Sequence, residues 1–184
     1  MVMVERKGIR WRAVVCGLVA MLSGTAAQAG ILGGINHTHW AINRFSVDGR
    51  SGLDSLGPWQ GGGGGHYSVP GRWQPGMTVR VEWETAIAYS DHIPSFADWP
   101  RYLEWVESVD AQKRRLSRDV PVPDYAGQPT CGLTIHFLPC DEIQVTTSCH
   151  PYGSADYPIK TPLELPKPPS CPVAEATSGQ GDSL

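Results

Sequence analysis

Four cysteines, Cys131, Cys140, Cys149 and Cys171, stand in the last third of the chain, and their spacing restricts the local fold more than any other feature. Cys140 lies midway between Cys131 and Cys149. Leu133, Ile135 and Phe137 alternate before it and Ile143 and Val145 after it, a pattern that reads as a hairpin over about 131–149 turning at Pro139-Cys140-Asp141. Folded there, the hairpin places Cys131 opposite Cys149. Cys131 and Cys140 sit at the two ends of one arm. At ~3.3 Å per residue they would be about 30 Å apart, far beyond the ~7 Å between Cα atoms that a disulfide tolerates. The predicted pairing is therefore Cys131–Cys149, leaving Cys140 for Cys171. Zinc is the rival use of four cysteines, and no C-x2–4-C spacing favours it, so no metal is expected.

Disulfides need an oxidising compartment, and the N-terminus supplies a route to one. Arg6, Lys7, Arg10 and Arg12 precede the apolar run Ala13–Leu22, and Ala27 and Ala29 form an A-x-A site. This is the pattern of a secretory signal peptide over 1–29, cleaved after Ala29. The apolar run falls short of the ~20 residues that span a bilayer. Cys16 follows Val15, where lipidation requires a small residue, so no membrane anchor is expected after cleavage. Residues 30–173 then form a single β-rich domain, and 174–184 a disordered tail. The expected location is the periplasm.

Removing residues 1–29 takes away four basic residues and one acid, which leaves 11 basic against 17 acidic residues and a net charge of −6. That charge disfavours nucleic acid and anionic membranes as partners. The 21 glycines and 16 prolines in 184 residues predict many turns and few long helices.

Along the chain, Gly33–Asp48 alternates roughly at period two and predicts a strand with bends. Gly61–Gly65 ends a turn-rich stretch from Gly49 and reads either as backbone packed too tightly to admit Cβ atoms or as a mobile loop. Met77, Val79, Val81 and Trp83 share one face of a strand over Met77–Thr85, with Arg80, Glu82 and Glu84 on the solvated face. Helical spacing of Trp99, Tyr102, Leu103 and Val106, with Pro100 in the first turn and Lys113, Arg114 and Arg115 at the end, predicts one helix over about 95–116. Tyr157–Pro172 reads as a Pro-rich extended strap. The expected fold is α+β and β-rich: a small antiparallel sheet or sandwich with one substantial helix.

No catalytic constellation emerges. His37 and His39 at i, i+2, with His66, Asp48 and Asp54 nearby, are candidate metal ligands, but no H-E-x-x-H motif accompanies them. There is no G-x-S-x-G elbow, and disulfide-bonded cysteines cannot serve as nucleophiles. The glycine run lacks the lysine of a phosphate loop. We therefore expect no cofactor and no enzymatic activity. Six tryptophans remain in the exported chain. Trp83 and Trp99 are expected in the core, whereas Trp59 and Trp73 flank the glycine run. With His66, Tyr67 and Arg72 they form the expected partner-contact set, since surface tryptophan suits protein interfaces.

The strings Gly34-Ile-Asn-His-Thr38, Val47-Asp-Gly49 and Val69-Pro-Gly-Arg-Trp-Gln-Pro-Gly-Met-Thr-Val-Arg-Val-Glu-Trp83, followed by Val120-Pro-Val-Pro-Asp-Tyr125 and Leu133-Thr-Ile-His-Phe-Leu-Pro139, resemble a proteobacterial family of unknown function. Its members are small exported proteins or lipoproteins, often encoded beside type VI secretion lipase effectors, and this chain departs from the lipidated ones. Many relatives carry a Cys-Cys pair where this chain has His66-Tyr67, so their disulfide layout is not carried over. The resemblance implies a periplasmic immunity protein that binds and neutralises a cognate phospholipase effector of the third lipase class. A carbohydrate- or peptidoglycan-binding module is the alternative, and a His-metal hydrolase a third.

Overall fold

The computed structural model describes residues 29–52, 55–86 and 93–172. The signal peptide up to Gln28, Asp54 and the tail 174–184 lie outside the described residues.

Among the described residues eight strands and one helix follow in order: β1 (Ala29–Asn36), β2 (Ala41–Val47), β3 (Arg50–Ser51), β4 (Gly61–Ser68), β5 (Thr78–Ala86), α1 (Trp99–Asp110), β6 (Arg114–Pro121), β7 (Gly132–Phe137) and β8 (Ile143–Thr146). They form two four-stranded sheets, one in the order β4-β1-β7-β8, the other β3-β2-β5-β6. The α+β, β-rich class expected from the sequence is the one observed.

Alternation builds the core. Val79, Val81 and Trp83 on β5 and Ile42, Phe45 and Val47 on β2 face Leu133, Ile135 and Phe137 on β7, and all are buried in one cluster. Phe137 joins the sheets, its ring 5.4 Å from Phe45 and 6.1 Å from Trp83. Burying such side chains is worth about 1.5–3 kcal/mol each, and these aromatic contacts hold the two layers in register.

Several local expectations need correction. The strand over Gly33–Asp48 is two strands in different sheets. Between them the Asn36 amide donates to the carbonyls of Trp40 and Gly57, and its Oδ1 accepts from the Thr38 backbone and hydroxyl, which turns the chain through His37–Trp40. Of the two readings of Gly61–Gly65 the close-packed backbone is the one observed: the run is a strand, paired antiparallel with β1 and bulged opposite Leu32/Gly33. A Cβ on Gly63 would come within 2.9 Å of Gly33 Cα and one on Gly65 within 2.4 Å of Ser51 O, so only glycine fits those positions. The sheet is not wholly antiparallel, because β1 and β7 run parallel, with Gly30 against Gly132 at the start of the pair. The helix is shorter than 95–116. It stops at Asp110, since Arg114 and Arg115 are already hydrogen-bonded into the β5–β6 ladder opposite Thr85 and Glu84.

The disulfides are Cys131–Cys149, with Cα atoms 4.9 Å apart, and Cys140–Cys171, at 5.2 Å. The first joins the open ends of the β7–β8 hairpin. The second ties its turn to the Pro-rich strap, which crosses the outer face of β7. Tyr157 is buried there, and the Leu165 N–H donates to the His37 carbonyl.

Candidate protein-binding surface

Adjacent antiparallel strands need only a two-residue turn between them. β5 and β6 pair from Thr78↔Pro121 to Thr85↔Arg114, yet residues 87–113 intervene and carry α1. The excursion is thus far longer than the sheet requires, and long excursions from a rigid scaffold commonly carry function.

Local chemistry starts the helix cleanly. The Ala97 N–H donates to Ser95 Oγ and the Asp98 N–H to the Ser95 carbonyl, shaping a turn that delivers Asp98 as N-cap, and Pro100 occupies the first turn, where its missing N–H costs nothing. At the other end Lys113 pairs with Asp110 at 2.6 Å.

No residue of α1 is buried. Among the described residues five large hydrophobic side chains are exposed, and four of them lie here: Ile93 (64%), Phe96 (69%), Trp99 (49%) and Leu103 (42%). Trp99, expected in the core, is instead on the surface. Its helical spacing correctly marks an apolar face, but no sheet covers that face. Phe96, Trp99, Tyr102 and Trp105 form a continuous aromatic ridge with centroid separations of 5.4 Å (Phe96–Trp99), 5.6 Å (Trp99–Tyr102) and 5.6 Å (Tyr102–Trp105). Tyr102 and Trp105 are half-buried, so the exposed apolar surface is that of Phe96 and Trp99 with Ile93 and Leu103; clustered exposed apolar surface is where proteins meet partners or membranes, and aromatic side chains are the usual anchors of protein interfaces.

The five residues expected at the contact surface lie apart from this ridge. Arg72 is exposed and Trp73 half-buried, its Nε1–H donating to the Val122 carbonyl, and both line an open groove of about 540 Å³ with Tyr125. His66 is exposed on β4. Tyr67 is buried, and its hydroxyl donates to Asp48 at 2.6 Å; burial, then that bond to a carboxylate, raises its pKa well above the phenol range. Trp59 sits half-buried in the Gly57–Gln60 turn at a left-handed φ of 53°. The structure therefore brings Arg72 and Trp73 together and leaves Trp59 elsewhere.

The candidate metal ligands also separate. His37 is fully buried, its Nε2 2.8 Å from His136 Nδ1 and its Nδ1 2.7 Å from the Pro162 carbonyl, so both ring nitrogens are occupied. His39 lies beyond the bend, its pKa lowered by burial and then by Lys167. Asp48 bonds Tyr67 and the Arg80 backbone. No three His, Cys, Asp or Glu side chains among the described residues converge as metal ligands. Glu84, expected on the solvated face with Glu82, is buried. Arg44 and Arg115 hold it at 2.9 and 3.0 Å, and the Arg115 hydrogen bond, then Asn43, keeps its carboxyl below the usual carboxylate range. That pair of acids is a structural clamp in one case and a surface charge in the other.

Residues 35–145 match the family described as "Protein of unknown function (DUF3304)". The chain belongs to the DUF3304 family. The DUF3304 match includes β2 through most of β8 and the whole α1 excursion, while the strap and its Cys171 anchor follow it. No curated protein matches the chain, and no solved structure does. No helix among the described residues is long and apolar enough to cross a membrane, and the two disulfides fit an exported protein.

Proposed function

We propose that this DUF3304 protein is a periplasmic immunity protein, a stoichiometric and non-enzymatic inhibitor of a type VI secretion phospholipase effector. The observation that carries the binding reading is the concentration of exposed apolar side chains on the β5–β6 excursion, four of the five in the described residues. Exposed apolar and aromatic side chains concentrated on one excursion suit a protein partner, because aromatic side chains supply the large buried contacts that anchor interfaces. The phospholipase enters through the family resemblance of the Val69–Trp83 and Leu133–Pro139 strings. Export and an acidic exported chain are consistent with it.

The reading requires a type VI lipase gene beside this chain's own; the test adds purified residues 30–184 to that gene's product and follows hydrolysis of phospholipid vesicles. Inhibition that saturates near one inhibitor per enzyme supports the proposal. Unchanged turnover at molar excess overturns it. The carbohydrate alternative rests on the exposed Trp99 and predicts sedimentation with murein instead.

A further inference from the structure

The α1 excursion presents two chemistries side by side. Phe96, Trp99 and Leu103 expose apolar surface at its N-terminal end. Trp99, Tyr102, Leu103 and Val106 follow the i, i+3, i+4, i+7 spacing with which a helix fills an apolar groove, Trp99 and Leu103 exposed and Tyr102 and Val106 half-buried. Beside and beyond them stand Glu104 and Glu107, both exposed and, among the described residues, in no ion pair, whereas Asp110 is taken by Lys113. Carboxylates at the rim of an apolar patch complement a groove bordered by Lys or Arg.

A phospholipid has the same two parts, acyl chains and an anionic phosphate. An enzyme that accepts it must offer an apolar channel for the first and cationic groups near the second. We infer that α1 acts as a mimic of the phospholipid itself: its aromatic and aliphatic ridge occupies the acyl entrance of the partner, and Glu104 and Glu107 take the place of the phosphate. The inhibition is then competitive, through occlusion of the entrance. This rests on the proposed immunity function and assigns its mode.

Helix α1 buries no residue, so substitutions on it leave the sheets and disulfides intact and report on docking alone. The lipase is assayed on phosphatidylglycerol/phosphatidylethanolamine vesicles with increasing amounts of the chain. The expected result is an apparent KM that rises with inhibitor while kcat is unchanged. Trp99→Ala with Leu103→Asp should weaken inhibition by roughly 30-fold or more, as expected for hot-spot side chains. Glu104→Gln with Glu107→Gln should weaken it by about 3–10-fold and flatten its salt dependence, as loss of rim charges does. Circular dichroism and disulfide mapping confirm that each variant is folded. A fall in kcat at constant KM, or full inhibition by both double variants, overturns the mimicry and leaves the immunity function standing. Absence of any inhibition by the unaltered chain fails that function instead. Co-sedimentation of the chain alone with the same vesicles would make the membrane the occupant of the ridge and also overturns the inference.

Discussion

His37 and His136, 99 residues apart in sequence, meet through one hydrogen bond of 2.8 Å between His37 Nε2 and His136 Nδ1. The neighbours decide which nitrogen carries the proton. A carbonyl only accepts, so His37 Nδ1–H donates to Pro162 and His37 Nε2 is bare. His136 Nδ1–H therefore donates to it, and the Tyr157 hydroxyl donates to the bare His136 Nε2 at 2.7 Å. The chain Tyr157–His136–His37–Pro162 latches the strap to β7, and every polar atom in it is satisfied only while both rings are neutral.

That arrangement predicts acid sensitivity. Burial, and then the neighbouring His37, hold His136 down to about 3 from an ordinary 6.5, and burial lowers His37 as well. The unfolded chain therefore binds protons first as pH falls. The histidine contribution is fully present above pH 6.5 and is lost as pH drops toward 3, by at most about 1.4 kcal/mol per pH unit for each ring. Urea midpoints at pH 7, 6 and 5 measure it in a range above the carboxylates. A flat midpoint over that range would remove this account.

Glycine supports the parallel β1–β7 pair by close approach. A Cβ on Gly30 would lie 2.2 Å from Gly132 Cα, whereas one on Gly61 would meet nothing closer than 3.8 Å. Gly30→Ala should cost about 1–3 kcal/mol, in the range of overpacking. Gly61→Ala should be tolerated. Thermal unfolding of the two variants separates them, and equal stability would contradict the packing.

Removal of Cys131–Cys149 (both to Ser) should destabilise the chain by about 2–4 kcal/mol. Removal of Cys140–Cys171 should release the strap's end without separating the β7–β8 arms, because the two disulfides brace different elements. Limited proteolysis should then cut the strap first in the second variant only.

Replacing residues 87–113 by Asn-Gly should leave a folded double sheet, since Thr85↔Arg114 already closes the β5–β6 ladder and the resulting three-residue loop Ala86-Asn-Gly ends in the glycine that a bulged hairpin turn favours. The shortened chain is expected to keep both disulfides and to lose inhibition of the lipase. Failure of the shortened chain to fold would show that the excursion supports the core; retained inhibition would place docking elsewhere.

Sequence alone determined what depends on short-range geometry. The period-two face Val79-Val81-Trp83 and the hairpin around Pro139–Asp141 are legible because alternate residues of a strand must share a face. The disulfide pairing follows from the same register, which sets Cys131 opposite Cys149 and out of reach of Cys140. The apolar stripe of α1 is equally legible as a stripe.

Tertiary structure decided whatever depends on which neighbour arrives. Whether the stripe of Trp99 and Leu103 is core or surface depends on a covering sheet, and the sheets instead cover each other through Phe45, Trp83 and Phe137. Five glycines fit a close-packed backbone or a loop equally well by composition, and the approach of β1 and the Ser51 backbone decides for a strand. His37 has the same local sequence whether it binds a metal or a neighbour; the fold brings His136 to it across 99 residues, and proximity between distant residues is set by packing, which no local pattern encodes.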